Sequence, residues 1–273
     1  MSGAAPALAE AHAQGRAALI GYLPTGYPTV DASIAAIEAM VGAGVDVVEV
    51  GLPYSDPVMD GPTIQRATEA ALARGVRTTD TLRVVEAVAA AGVPTLVMTY
   101  WNPIERYGTA RFARDLAAAG GAGLITPDLV PDEAGEWLAA ADEHDLDRVF
   151  LVAPSSTDAR IASTSAACRG FIYATAVMGV TGARDVESTQ APALVSRVRQ
   201  VSDLPVGVGL GVRDGRQAAG VAGYADAVIV GSAFVSRLLD AGDDHAAGAR
   251  AVGDLATELA AGVRHPATAG AGA

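Results

Sequence analysis

The chain has no lysine: its 19 basic residues are all arginine. Schiff-base aldol chemistry, covalent attachment of pyridoxal phosphate and the lysine of a P-loop are excluded, since each needs the amine itself. Cysteine is almost as scarce. Cys168 stands alone, so no disulfide forms within the chain and no thiolate cluster holds a metal. The histidines, His12, His144, His245 and His265, have no second His or Cys at ligand spacing and read as solvated side chains. Aromatics are only 5% of residues, which leaves the core to Ala, Val, Leu and Ile. No run is long and apolar enough to span a bilayer, and no basic segment followed by an apolar one opens the chain, so a cytoplasmic location is expected. Basic charge is also short, leaving a net charge of −12. Such a chain gains nothing electrostatically from nucleic acid or anionic lipid, and neither is an expected partner. An anionic small ligand would need a local cradle of backbone N–H groups.

What is present is a repeated pattern. Hydrophobic residues make up 51% of the chain, enough for a large core. Short apolar, β-branched runs recur at 17–22, 45–51, 95–100, 122–126, 148–153, 170–175, 205–210 and 225–231. They are continuous rather than alternating, the mark of parallel strands covered on both faces. Ala-rich stretches of helical spacing lie between them, such as DASIAAIEAMVGAG, TDTLRVVEAVAAAG and DARIASTSAAC, often closed by a glycine suited to a left-handed C-cap. Six strands would suggest a doubly wound sheet; eight predict a (β/α)8 TIM barrel, for which 273 residues is a normal length. The expected organisation is an N-terminal helix over 1–16, a single barrel domain over 17–261 with an extra helix near Gly61–Arg74 after strand 2, and a frayed tail over 262–273.

Barrel active sites form at the C-terminal ends of the strands. There the stretch VEVGLPYSDPVMDGPTIQ places Glu49 near the end of the second strand and Asp60 in the loop that follows. A buried Glu has a raised pKa and can hold and return a proton near neutrality, whereas an Asp in a polar loop is expected to stay ionised. Two acids in unlike surroundings suit divided acid and base roles. The plainer alternative is that Glu49 pairs with a buried arginine and Asp60 only caps the helix starting near Pro62. Asp56, before a proline, fits turn chemistry.

Gly-rich junctions follow three late strands: MGVTG (178–182), GLGVRDG (209–215) and VGSA (230–233). Each lets backbone amides point at an anion, and Ser232 is placed to open a helix whose N-terminus favours negative charge. Tyr22, Ile64, Met98, Tyr100, Ile125, Tyr173, Leu210 and Ile229 are candidates for an apolar wall, though the aliphatic ones serve equally as barrel filling. Together these features suggest a substrate with a phosphate at one end, a flat apolar group at the other, and proton transfers between.

From about Ala17 to Leu239 the chain resembles the alpha subunit family of tryptophan synthase. The resemblance runs through ALIGYLPTGYP, VEVGLPYSDPVMDGPTIQ, MTYWNPI, the PDL at 127–129, YATAVMGVTGAR, VGLGV and VIVGSA, in family order and spacing. It implies cleavage of indole-3-glycerol phosphate to indole and glyceraldehyde 3-phosphate, a retro-aldol lyase step of tryptophan biosynthesis that uses neither metal nor Schiff base. By the same resemblance Glu49 protonates the indole ring carbon and deprotonates the glycerol hydroxyl. Asp60 stabilises charge on the indole N–H, and Tyr173 supports Glu49. Thr181 belongs to a loop closing over the substrate, and Gly182, Gly211, Gly231 and Ser232 bind phosphate. It further implies no cofactor in this chain and a beta subunit partner carrying pyridoxal phosphate, in an assembly of two alpha and two beta chains. Pro53, Asp56 and Asp128 fall where that partner is contacted.

The chain departs from the family pattern in places. Tyr22 and Leu210 stand where Phe is common, Val130 displaces a proline to Pro131, and Arg213 follows GLGV where a small polar residue is frequent. Other phosphosugar barrels are rival readings, but indole-glycerol-phosphate synthase relies on a lysine this chain lacks. A stand-alone lyase releasing free indole and a catalytically idle barrel serving as an allosteric partner also remain open.

Overall fold

A computed structural model gives the fold and describes residues 3–175, 190–209 and 211–266. The eight strands are β1 (Ala18–Pro24), β2 (Val47–Gly51), β3 (Thr95–Met98), β4 (Gly123–Thr126), β5 (Asp147–Val152), β6 (Ile172–Thr175), β7 (Val206–Gly209) and β8 (Ala227–Val230). All pair in parallel with their sequence neighbours, and β1 pairs with β8 to close the barrel. The predicted (β/α)8 architecture is the observed one. Helices surround the barrel, including the extra one after β2, at Pro62–Ala73. Between β3 and β4 the chain forms two helices, Trp101–Tyr107 and Thr109–Ala118, jointed at Gly108 with φ +96°.

The core has two parts. Between strands and helices lies an aliphatic shell including Leu19, Val48, Val97 and Leu124, with Phe112 and Trp137 among its largest fully buried side chains. Inside the barrel Ile20, Val47, Leu96, Ile125, Val149, Phe171 and Ile229 fill the lumen in the layered manner of such barrels. The first helix, Ala4–Ala13, closes the floor by packing Ala4, Leu8 and Ala11 against that inner cluster. Its N-terminus is held by Asp147, whose carboxylate accepts the Ala4 N–H at 2.7 Å. The last helix, His245–Arg264, packs against Val30–Gly42 and includes residues expected to belong to the tail.

Candidate active site

Glu49 is the central residue of β2, paired in register with Tyr22 of β1 and Leu96 of β3. The carboxyl group is 1% exposed, and neither oxygen has a hydrogen-bond partner among the described residues. Desolvation pushes its pKa up to about 8, because a carboxylate without water or donors is costly. No arginine pairs with it among the described residues. The buried ion-pair alternative therefore falls away, and Glu49 is a neutral acid at neutral pH with a proton to give.

Asp60 departs from expectation. The loop's composition suggests a hydrated anion, but the side chain is half-buried and desolvation pushes its pKa up. Tyr100, from just beyond the end of β3, donates its hydroxyl to Asp60 Oδ1 at 3.0 Å, which opposes the rise. The same phenolic oxygen accepts the Met59 N–H at 3.0 Å, so one side chain fixes both the acid and the loop leading to it. Nor does Asp60 cap the following helix. Gly61 is the N-cap, Pro62 opens the helix, and Gln65 donates its side-chain amide to the Asp60 carbonyl at 2.9 Å.

Two further phenols share the space. A Cβ at Gly51 would lie 2.3 Å from the Tyr22 hydroxyl and one at Gly231 would lie 3.2 Å from its ring, so these two glycines make the slot in which Tyr22 lies. Gly209 likewise leaves room for Tyr173, whose hydroxyl would be 2.6 Å from a Cβ there. Burial pushes both phenols well above their usual range; the charges of Asp60 and Glu49 add to the rise at Tyr22, and that of Glu49 at Tyr173. Both remain protonated at neutral pH. Tyr22, Glu49, Asp60, Tyr100 and Tyr173 thus form one electrostatically connected group at the barrel mouth.

Of the expected apolar wall, Ile125 and Ile229 are buried in the inner cluster with Met98 and Tyr173 packed on it, and Ile64 is buried in the first turn of its helix. At the same mouth Gly209 of β7 pairs with Ile229 of β8, so Gly211 and Gly231 stand just beyond the ends of adjacent strands. Gly211 has φ +71°, a conformation that favours glycine. Ser232 opens the helix Ser232–Ala241, whose N-cap Gly231 supplies no side-chain cap. Amides and helix dipole there suit an anion. Thr181, Gly182 and Leu210 lie outside the described residues. Arg213 is exposed.

The three residues expected at a partner contact lie in loops at this same end. Pro53 is half-buried, and Asp56 is exposed and accepts the Ser55 hydroxyl. Asp128 is exposed yet already engaged: its two oxygens accept the Trp101 N–H at 2.9 and 3.1 Å. Val58 and Val130, at 74% and 40% exposure, are large apolar side chains open to solvent in the same two loops. Sequence reasoning did not single out Tyr54, whose ring lies 5.3 Å from that of Tyr100, nor the Asp128–Trp101 contact. The tyrosine in VEVGLPYSDP was the available signal for the first; the second joins loops after different strands and leaves no local trace.

Comparison with known proteins completes the picture. The family model for the tryptophan synthase alpha chain matches residues 8–264. The chain is 66% identical over 267 residues to the tryptophan synthase alpha chain of Salinispora arenicola, covering 98% of this chain and all of that one. It is also 66% identical over 255 residues to that of Mycobacterium intracellulare, covering 93% and 92%. Among solved structures, a chain of Mycobacterium tuberculosis tryptophan synthase superposes with a TM-score of 0.89 at 63% identity, covering 95% and 97%. The alpha subunit from Legionella pneumophila superposes with a TM-score of 0.88 at 30% identity, covering 96% and 98%.

Proposed function

On the premise that this chain belongs to the tryptophan synthase alpha chain family, we propose how its residues divide the work of the alpha reaction, the lyase step that family performs in tryptophan biosynthesis. The substrate is indole-3-glycerol phosphate. Its phosphate rests on the amides around Gly182, Gly211, Gly231 and Ser232, and its indole lies among Tyr22, Ile64, Met98, Tyr100, Ile125, Tyr173, Leu210 and Ile229. By the family resemblance, Thr181 takes part in excluding water from the bound substrate.

The buried carboxyl of Glu49, without a hydrogen-bond partner among the described residues, carries this reading. A neutral Glu49 gives its proton to the ring carbon bearing the glycerol chain, and positive charge develops on the indole nitrogen. Asp60, held by Tyr100, accepts the hydrogen bond from that N–H and stabilises the charge. Glu49, now a carboxylate, takes the proton of the adjacent glycerol hydroxyl. The carbon–carbon bond breaks, its electron pair returns to the ring, and indole and the aldehyde separate with Glu49 protonated again. Tyr173, within electrostatic reach of Glu49, supports it in both states. The step needs no cofactor of this chain.

The partner is a beta subunit carrying pyridoxal phosphate, contacted through Pro53, Asp56 and Asp128 in an assembly of two alpha and two beta chains; the compartment is the cytoplasm. The test is indole release from indole-glycerol phosphate by the parent chain and by Glu49→Gln, each alone and with a beta subunit. Release by the parent and none by a folded Glu49→Gln supports the assignment; equal turnover refutes it. Strong stimulation by the beta subunit supports the complex, and high activity alone favours the stand-alone lyase.

A further inference from the structure

Tyr100 holds Asp60, and something must hold Tyr100. Its backbone is the N-cap of the helix Trp101–Tyr107, and its side chain makes no capping bond to that helix. The cap comes from another strand's loop: both Asp128 oxygens accept the N–H of Trp101, the first residue of the helix, at 2.9 and 3.1 Å. A carboxylate at a helix N-terminus satisfies an otherwise orphaned donor and is favoured by the dipole. Here it also fixes the peptide unit that leaves Tyr100. Because that unit is planar, anchoring the Trp101 N–H restrains the backbone from which the Tyr100 side chain departs. At its far end the phenol donates to Asp60 at 3.0 Å and accepts from Met59 N–H at 3.0 Å. The path Asp128, Trp101 N–H, Tyr100, Asp60 is therefore continuous from an exposed loop after β4 to the acid beneath the mouth.

We infer that Asp128 is a positioning residue of the lyase reaction, setting Asp60 against the indole N–H through Tyr100. This rests on the role proposed for Asp60, and it is separate from any contact Asp128 makes with a partner. A surface carboxylate reserved for a partner alone would leave the isolated chain indifferent to its loss. A positioning carboxylate would not, since small displacements of a catalytic group are costly in rate.

The test uses the isolated full chain, without beta subunit. Asp128→Ala is expected to lower kcat for indole release by about tenfold with little change in KM, since the phosphate end is untouched. Asp128→Asn keeps a carbonyl oxygen that accepts the Trp101 N–H and is expected to retain most of the rate. Tyr100→Phe alone is expected to cost a similar factor, and Tyr100→Phe with Asp128→Ala no more than Tyr100→Phe alone, because both act on one contact. Full activity of Asp128→Ala, or losses that multiply in the double variant, would overturn the inference. Glu49→Gln is measured alongside. If it stays active, the site reading itself has failed; if it is dead while Asp128→Ala matches the parent, only the positioning role has failed.

Discussion

The aspartates at the floor of the barrel and the two acids of the candidate site at its mouth are treated in opposite ways. At the floor, three aspartates at or beside strand starts are fully engaged. Asp46 takes both arms of Arg16 at 2.7 and 2.8 Å and the Leu19 N–H at 2.8 Å. Asp226 takes the Val206 N–H at 2.8 Å and Arg199 at 2.9 Å. Asp147 takes the Ala4 N–H at 2.7 Å with Arg169 at 3.6 Å. At the mouth, Glu49 has no donor among the described residues and Asp60 has one phenol. An engaged carboxylate ties strands together, whereas an unengaged one keeps its bonding capacity for a ligand. The fold is stabilised at one end and kept reactive at the other.

Substitutions at the two ends should therefore behave differently. Glu49→Gln should stabilise the fold while abolishing turnover. Below about pH 4.5 the carboxyl is protonated whether folded or not and has no effect; between 4.5 and about 8 only the folded chain keeps the proton, so the parent loses stability as pH rises. The variant's advantage should be on the order of 3 kcal/mol at pH 7 and vanish in acid, read by denaturant unfolding at several pH values. An advantage independent of pH would break the comparison. Asp60→Asn should lower kcat by roughly 10²-fold with weaker effect on binding of the phosphate end, read by steady-state kinetics; a pure KM effect would contradict its role. Asp147→Ala, at the floor, should cost about 2 kcal/mol of stability by orphaning the Ala4 N–H, with turnover per folded molecule kept. Arg199→Met should cost less than about 1 kcal/mol, because its pair with Asp226 is largely solvated and the Val206 bond remains.

Much of this was legible in the sequence. The strands announced themselves because strands covered on both faces are continuously apolar, and Glu49 stood out as an acid inside such a run. The surroundings of Asp60 did not, because a Pro- and Gly-rich loop reads as solvated and the phenol that bonds it arrives from beyond the next strand. Asp128 is the same kind of case: its loop follows β4, while the amide it holds follows β3. The pairing of Asp147 with Ala4 spans 143 positions and leaves no periodic trace. Local pattern finds elements and a residue out of place within one, but side chains that meet across elements are found only once the barrel closes.

That last pairing bears on how the molecule assembles. The helix Ala4–Ala13 precedes every strand of the barrel in the chain, yet the inner cluster that seats it draws on strands as distant as β8, and Asp147, which receives its leading amide, is synthesised far later. Contacts so distant along the chain carry a high closure entropy and form slowly. That helix must therefore wait, its apolar face uncovered, until the strands that shelter it exist.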